Sequence, residues 1–596
     1  MDEALGTPSS PRPSEPPLDA LPTYRTVGEL TDRHGAIQET AFPVGRGMFG
    51  VVLRSSQPAV AYKQFCQDEI PLADAALVAH GRRLGWEEGG IVPQTLGMAL
   101  TPASSVLAMQ RYATDLYKFA STNELSVQNR LDLSIQIVHS VCTMVMQGGI
   151  VHRDLKPPNI LIYGGGDDPY TVLLCDFSLA KSHVGVDPSH AWWREVYSLW
   201  WRPPELLDTS VGDYAVYDPV VAEMGALGLV LAWLWMGPAY RNLYGQTDYN
   251  QLCRFRKAFR GADGKVSIRN HLPQNYVTKA TRPILDLIDS LISEYPSTRP
   301  TVYAVAEHAC LSGKPPLRQP TLAGLFSLRP RIAGFRPWHH FYLNPRKSRM
   351  EVVIFIYEVA DTLSVELHTR VLALAILEYF LTLRRPRVVL DSDDMGYNGV
   401  VSAALYIAAN FVEDRIYTVQ QVWDAATEGR RWKTSTTIDD YVCDMLATLP
   451  DLHTLSKTTF DVVLRGLFPF ADQTRRAVAG ALIHTLLPID GVDALCASPD
   501  TLGSRLEYLV RPAALPPPIP LFQLADLPPK LLITLRGYLA TPKLPALRAL
   551  AWFSFAQATK VLVAAGLPQT MRDAKRMLPV PSTGRTKTEL SSDGYS

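Results

Sequence analysis

The chain has no charge imbalance: 58 Lys and Arg face 58 Asp and Glu in 596 residues, for a formal net charge of zero. No overall basic field is available to recruit nucleic acid in general. Cysteine is scarce. The seven that occur (Cys66, Cys142, Cys175, Cys253, Cys310, Cys443 and Cys496) are odd in number and scattered, with neither metal-ligand nor disulfide spacing, which suits a reducing compartment. No apolar run opens the chain, so no signal peptide is expected. The apolar run Leu227 to Met236 is too short for a membrane span and fits a buried helix better. No internal repeat is visible. These absences predict an intracellular protein, nuclear or cytoplasmic, with neither nucleic acid nor membrane as a partner.

What is present is an apolar fraction of 47%, ample for packed cores, on a length that allows about four domains. Residues 1–24, rich in Pro, Ser and acidic side chains, and the tail 571–596 are expected to be disordered. Between them runs an ordered series of motifs. Val151-His152-Arg153-Asp154-Leu155-Lys156-Pro157-Pro158-Asn159 spaces a carboxylate, an ammonium and a carboxamide over six positions. Asp154 can accept the proton of a hydroxyl, Lys156 can neutralise a phosphate in transfer, and Asn159 can reach a metal ion. Upstream, Gly45-Arg46-Gly47-Met48-Phe49-Gly50-Val51-Val52 is a G-x-G-x-x-G-x-V loop. Its glycines leave backbone N–H groups unobstructed over phosphates. The alternating strand Ala59-Val60-Ala61-Tyr62-Lys63 follows, ending in a lysine suited to the α- and β-phosphates. Downstream, Val172-Leu173-Leu174-Cys175-Asp176-Phe177-Ser178 reads as a buried strand delivering an aspartate. A hard cation such as magnesium prefers the oxygens that Asp176 and Asn159 supply.

With these motifs in this order, residues 25–315 resemble a eukaryotic-type protein kinase, an α+β bilobal fold using ATP and Mg2+ on protein substrates. Glu195-Val196-Tyr197-Ser198-Leu199-Trp200-Trp201-Arg202-Pro203-Pro204-Glu205 resembles the cyclin-dependent kinase group in particular. The resemblance implies that Glu205 pairs with Arg299, that a central helix covers Val220 to Trp235, and that Met109 is the gatekeeper. It also implies a hinge of Gln110, Arg111 and Tyr112 facing adenine, ribose contact by Asp115, and nucleotide contact by Gly45, Gly47, Gly50, Val52 and Lys63. Several departures stand out. Pro71 to Leu84 holds no glutamate to pair with Lys63; Glu69 and Asp74 are the nearest carboxylates, and neither sits where the family places its own. Trp192-Trp193-Arg194 stands where the group carries its activating threonine, and Met48 and Phe49 replace its inhibitory Thr and Tyr. Ser178 replaces a glycine and is expected to narrow backbone freedom there. Glu223 replaces an aspartate, and Tyr197 a small apolar residue. Ser198 is expected to hydrogen-bond within the catalytic loop.

A Pro- and Arg-rich linker, 316–345, leads to apolar helices expected at Met350 to Val359, Val371 to Leu383, Gly399 to Phe411 and Ile438 to Leu449. Residues 346–455 resemble a cyclin box, with small residues Ala403, Ala404, Ala408 and Ala409 for tight packing and Arg349 paired with Glu378. Asn410 stands where cyclins have a kinase-contacting lysine, and no matching glutamate occurs near Tyr441 to Asp444. Residues 456–570 are again helical, a length that suits a second cyclin repeat. The chain is therefore expected to be multidomain, a kinase followed by an all-α cyclin-like unit of one or two repeats, with an intramolecular kinase–cyclin interface. Cyclins activate by pressing on the kinase's third helix, and short tethering would relax the demand on that interface. A pseudokinase scaffold and a regulatory subunit for a separate kinase are the competing readings.

Overall fold

Alternation in Val60-Ala61-Tyr62-Lys63 puts Val60 and Tyr62 on one face of a strand and Lys63 on the other. In the computed structural model that strand is central to a seven-stranded sheet. The structure describes residues 22–312 and 349–457 apart from internal stretches, the longest being 241–258. Residues 1–21, the C-terminal tail, the linker 316–345 and nearly all of 456–570 lie outside the described residues; Thr23 and Tyr24, expected in the disordered tail, instead pair with Met98 and Ala99 as an edge strand of the sheet.

The sheet comprises β1 (Thr23–Tyr24), β2 (Ile37–Gln38), β3 (Gly45–Gly47), β4 (Gly50–Ser55), β5 (Val60–Phe65), β6 (Thr95–Ala99) and β7 (Val106–Gln110). Its order is β1-β6-β7-β5-β4-β2, with β3 hairpinned onto β4. Val60 and Tyr62 of β5, with Val106 and Ala108 of β7, bury against Leu30. Leu30 belongs to helix α1 (Val27–His34), which is capped by the Thr26 hydroxyl accepting from the Glu29 amide at 3.1 Å. Helix α2 (Leu72–Arg83) connects β5 to β6.

The helical lobe contains α3 (Leu116–Thr122), α4 (Val127–Thr143), α5 (Pro219–Met236), α6 (Arg282–Leu291) and α7 (Val302–Ala306). Short strands frame the loops between them: β8 (Thr114–Asp115), β9 (Ile150–Val151), β10 (Ile160–Gly165), β11 (Asp168–Leu174), β12 (Lys181–Ser182), β13 (Ala191–Trp193) and β14 (Tyr214–Val216). Helix α5 starts at Asp218, whose carboxylate accepts from the Val220 and Val221 amides at 2.8 and 3.2 Å. At 18 residues it is long and apolar enough to cross a membrane, longer than the run its sequence suggested, and 89% of it is buried in protein. Burial, rather than shortness, is what marks it as a core helix.

Beyond the linker come α8 (Arg349–Leu363), α9 (Leu367–Arg384), α10 (Asp394–Val412), α11 (Val419–Ala426), α12 (Thr436–Thr448) and α13 (Leu452–Lys457). Described residues from 355 to 457 form one compact unit with the kinase-like half. Helix α10 packs against α9, α11 and α12. Ala403, Ala404, Ala408 and Ala409 are all fully buried, which permits close helix approach. Asn410 closes the end of α10, accepting the Tyr417 amide at 2.9 Å and donating to the Tyr406 and Tyr417 carbonyls. Arg349 and Glu378 fall on α8 and α9, but their side chains lie outside the described residues.

Helix α2 packs on α10, α12 and α13. His80 Nδ1 lies 2.9 Å from Asp451 Oδ2, both buried, and the His80 ring stands 5.1 Å from that of His453.

Candidate active site

Lys63 emerges from β5 into a buried cluster of oxygens. Its Nζ lies 2.8 Å from Asp74 Oδ1 and 2.9 Å from both Asp176 Oδ1 and Ser178 Oγ. Burial opposes charge on Lys63, but Asp74 and Asp176 outweigh it and hold the ammonium protonated beyond an ordinary lysine. Asp176 is likewise held below the usual carboxylate range, because Lys63 overcomes its burial.

Of the two nearest carboxylates that the sequence offered, the partner of Lys63 is therefore Asp74, on the first turn of α2. An aspartate is one methylene shorter than a glutamate, and Ser178 closes the difference. Its hydroxyl donates to Asp74 Oδ2 at 2.7 Å while receiving from Lys63. Expected to act through backbone stiffness, Ser178 acts through its side chain.

The catalytic-loop residues converge as their spacing suggested. Lys156 Nζ is 2.6 Å from Asp154 Oδ2 and 3.1 Å from Ser198 Oγ. Ser198 donates to Asp154 Oδ1 through its hydroxyl at 3.0 Å and its amide at 3.2 Å, and Asn159 Nδ2 reaches Asp154 O at 2.9 Å. The Asp154 carboxylate is thus fixed by four donors, Lys156 and Asn159 Nδ2 (3.1 Å) on Oδ2 and the Ser198 hydroxyl and amide on Oδ1, which gives it the fixed orientation a general base needs.

The Cys175 amide donates to the Asn159 carbonyl at 3.0 Å, tying the loop to the strand that delivers Asp176. Among the described residues neither Asn159 Oδ1 nor Asp176 Oδ2 makes a hydrogen bond. Two uncommitted hard oxygens fit a Mg2+ ion that takes its remaining ligands from phosphates and water.

The glycine loop forms the β3–β4 hairpin, with Gly45 opposite Val52 and Gly47 opposite Gly50. A Cβ at Gly50 would lie 2.3 Å from the Gln64 carbonyl oxygen, whereas one at Gly47 would meet nothing within 4 Å. Gly50 is needed for strand packing; Gly47 leaves open space for a ligand.

At the hinge, the Gln110 and Arg111 amides are used within the lobe, donating to Gln94 and Ala59 carbonyls at 2.9 and 2.7 Å. The Tyr112 amide and carbonyl make no backbone hydrogen bond among the described residues, so they can serve the edge of a base. Met109, on β7, pairs with Ala61. Asp115 is committed as the N-cap of α3, accepting the Lys118 amide at 2.8 Å.

Two further departures answer one another. Glu223, fully buried, accepts from the Arg153 amide at 3.1 Å and the Tyr197 hydroxyl at 2.7 Å. Burial raises both its carboxyl and the Tyr197 phenol above their ordinary values. Arg153, Asp176 and Tyr197 all adopt left-handed backbone, with φ of 64°, 65° and 61°. Glu205 receives both terminal nitrogens of Arg299 at 2.6 and 2.5 Å, as expected.

Sequence reasoning gave no role to Arg153, Lys181 or Asp414. The Arg153 guanidinium meets Asp414 bidentately, at 2.6 and 3.0 Å, and the Trp193 amide donates to Asp414 at 2.6 Å. Lys181 Nζ donates to the carbonyls of Asn410, Phe411 and Glu413 at 2.7, 3.2 and 2.8 Å.

The family model for the protein kinase domain matches residues 41–311. Among curated proteins, the chain is similar to cyclin-dependent kinase 14 of Xenopus tropicalis, 26% identical over 247 residues (36% of this chain, 53% of that protein). It is 25% identical over 283 residues to a probable CTD kinase subunit alpha homolog of Encephalitozoon cuniculi (44% and 80%). Cyclin-dependent kinase-like 4 of Mus musculus is 30% identical over 224 residues (35% and 59%). The chain spans about half the length of the frog relative and three-fifths of the mouse one. Residues 41–311 are therefore a protein kinase domain with relatives of cyclin-dependent-kinase type.

Proposed function

We propose that the protein is an ATP- and magnesium-dependent Ser/Thr protein kinase, activated in cis by a cyclin-like unit formed by its C-terminal helices, without activation-segment phosphorylation. Lys63 and the glycine loop hold the phosphates, and Tyr112 receives adenine. Asp154 orients the substrate hydroxyl and takes its proton, while Lys156 steadies the transferred group. Asp176 and Asn159 would hold Mg2+, which when bound neutralises charge on the phosphate oxygens. Preference for Ser/Thr rests on the names of the relatives. The same reading puts the protein inside the cell, in nucleus or cytoplasm; Cys142, Cys175, Cys310 and Cys443 form no disulfide.

The observation that carries activation in cis is the closed Lys63–Asp74 pair on a helix whose other side is covered by α10, α12 and α13. Whether Lys63 is paired depends on where α2 lies, and His80–Asp451 fastens α2 to those helices. Radiolabelled phosphate transfer from ATP to a generic protein substrate tests the reading. The full chain should be active alone and after phosphatase treatment, and Asp154→Asn should be inactive. No transfer from folded full-length protein would favour a scaffold; activity only with an added cyclin would defeat activation in cis.

A further inference from the structure

Two cations from the catalytic region end on one helix terminus. Lys181, on β12, points into the last carbonyls of α10, where a cation offsets the partial negative charge of an exposed helix end. Arg153, adjacent to Asp154 in sequence, reaches Asp414 two residues past that helix; each side chain of the pair is only 2% exposed. Trp192 lies under the same guanidinium at 5.3 Å, and Trp193 gives Asp414 its amide. These tryptophans stand where the resemblance places a phosphorylatable threonine. In kinases switched by phosphorylation, the new phosphate orders the activation segment by pairing with arginine.

We propose that Asp414 is a permanent stand-in for that phosphate: a carboxylate on the C-terminal helices that fixes Arg153 and the Trp192–Trp193 strand, and so orders the substrate-facing segment. A phosphorylated residue brings roughly −1.5 to −2 charges and three acceptor oxygens. Asp414 brings one charge and two oxygens, all occupied by Arg153 and the Trp193 amide. The second local cation, Lys181, is met by the helix end, roughly half a negative charge, so most of the positive charge here is met without phosphate.

The route from Asp414 to the chemistry is short. The Arg153 carbonyl accepts the Tyr197 amide at 2.8 Å, and the next residue, Ser198, holds Asp154. Tyr217 completes the frame by donating to the Trp193 carbonyl at 3.1 Å. Asp414 touches no reacting atom and is a positioning residue.

This inference rests on the kinase reading of the site, and its test separates the two. Full-length wild type, Asp414→Asn, Asp414→Glu, Arg153→Met and the Asp414→Asn/Arg153→Met double variant are compared for kcat and for KM of ATP. Asp414→Asn should lose about 100-fold in kcat, the scale of a misplaced catalytic group. KM for ATP should stay within about threefold, because the Lys63–Asp74–Asp176 cluster is untouched. Asp414→Glu should recover part of the loss, and the double variant should be no worse than the poorer single one. Hydrogen exchange gives an independent readout: the Trp193 amide should be protected in wild type and exchange freely in Asp414→Asn. Full activity in Asp414→Asn, multiplying losses in the double variant, or a requirement for segment phosphate in the active protein would overturn the proposal. A folded wild type without activity would refute the kinase reading, and Trp193 exchange would then decide the proposal alone.

Discussion

Exchanging the Asp74–Ser178 pair for the family's own combination, glutamate with glycine, should be nearly neutral, although each half of the exchange is damaging. Ser178 Oγ donates to Asp74 Oδ2 at 2.7 Å and receives from Lys63 at 2.9 Å. Removing it in Ser178→Gly deletes hydrogen bonds to charged partners, worth about 1.5–3 kcal/mol each before water replaces any of them. With each tenfold in rate costing about 1.4 kcal/mol, kcat/KM for ATP should fall about tenfold or more. Asp74→Glu alone inserts a methylene into a slot already filled by Ser178; overpacking of this kind costs about 1–3 kcal/mol, again about tenfold. In the double variant the longer carboxylate occupies the space the hydroxyl vacates and still reaches Lys63, so kcat/KM should return to within about threefold of wild type. The assay is initial-rate phosphate transfer against ATP concentration, with melting temperature measured on the same preparations. A double variant whose loss is the product of the two single losses would refute the reasoning, because it would show that Ser178 does not complete a short carboxylate.

Arg299→Ala should destabilise the protein by about 3–5 kcal/mol, the cost of breaking a buried pair, and lower the melting temperature, because it leaves Glu205 without its bidentate partner. Gly50→Ala should raise KM for ATP and lower the melting temperature together, since a Cβ only 2.3 Å from the Gln64 carbonyl must part β4 from β5; a wild-type KM would count against that strand's role in shaping the phosphate site. The Asp414 carboxyl is opposed by burial, but Arg153 and Lys181 prevail and hold it below its ordinary 3.8. Its unfolded form therefore binds more protons in that range, so its stabilisation is present above about pH 3.8 and is lost as pH falls through the folded value. Denaturant unfolding of wild type and Asp414→Asn should differ most near neutrality and converge in acid; a constant gap would show that charge on Asp414 is not what stabilises.

What could be read from the sequence was what is local in it. The 151–159 loop, the glycine hairpin and Asp176 were legible because their chemistry needs fixed spacing along one strand or turn. Glu205 and Arg299, though 94 residues apart, were legible through a recurring pair. The four long C-terminal helices showed through their apolar spacing, and three of them extend several residues past the expected bounds. Helix α11 was missed because only Val422, Trp423 and Ala426 of its eight residues are buried, and α13 because six residues are too few to show a period. The site failed to yield its secrets wherever two departures compensate across the fold. Asp74 is an unsuitable partner for Lys63 until Ser178, 104 residues away, is beside it. Glu223 is a long residue in an aspartate position until Tyr197 reaches it. The tryptophans in the threonine position look like a lost switch until Asp414, 261 residues beyond Arg153, supplies an anion. In each case one residue read alone suggests impairment, while the pair restores a charge or a hydrogen bond. Counting family residues present or absent therefore misses contacts of this chain, because here the partner that one position lacks is supplied by another that only folding brings near.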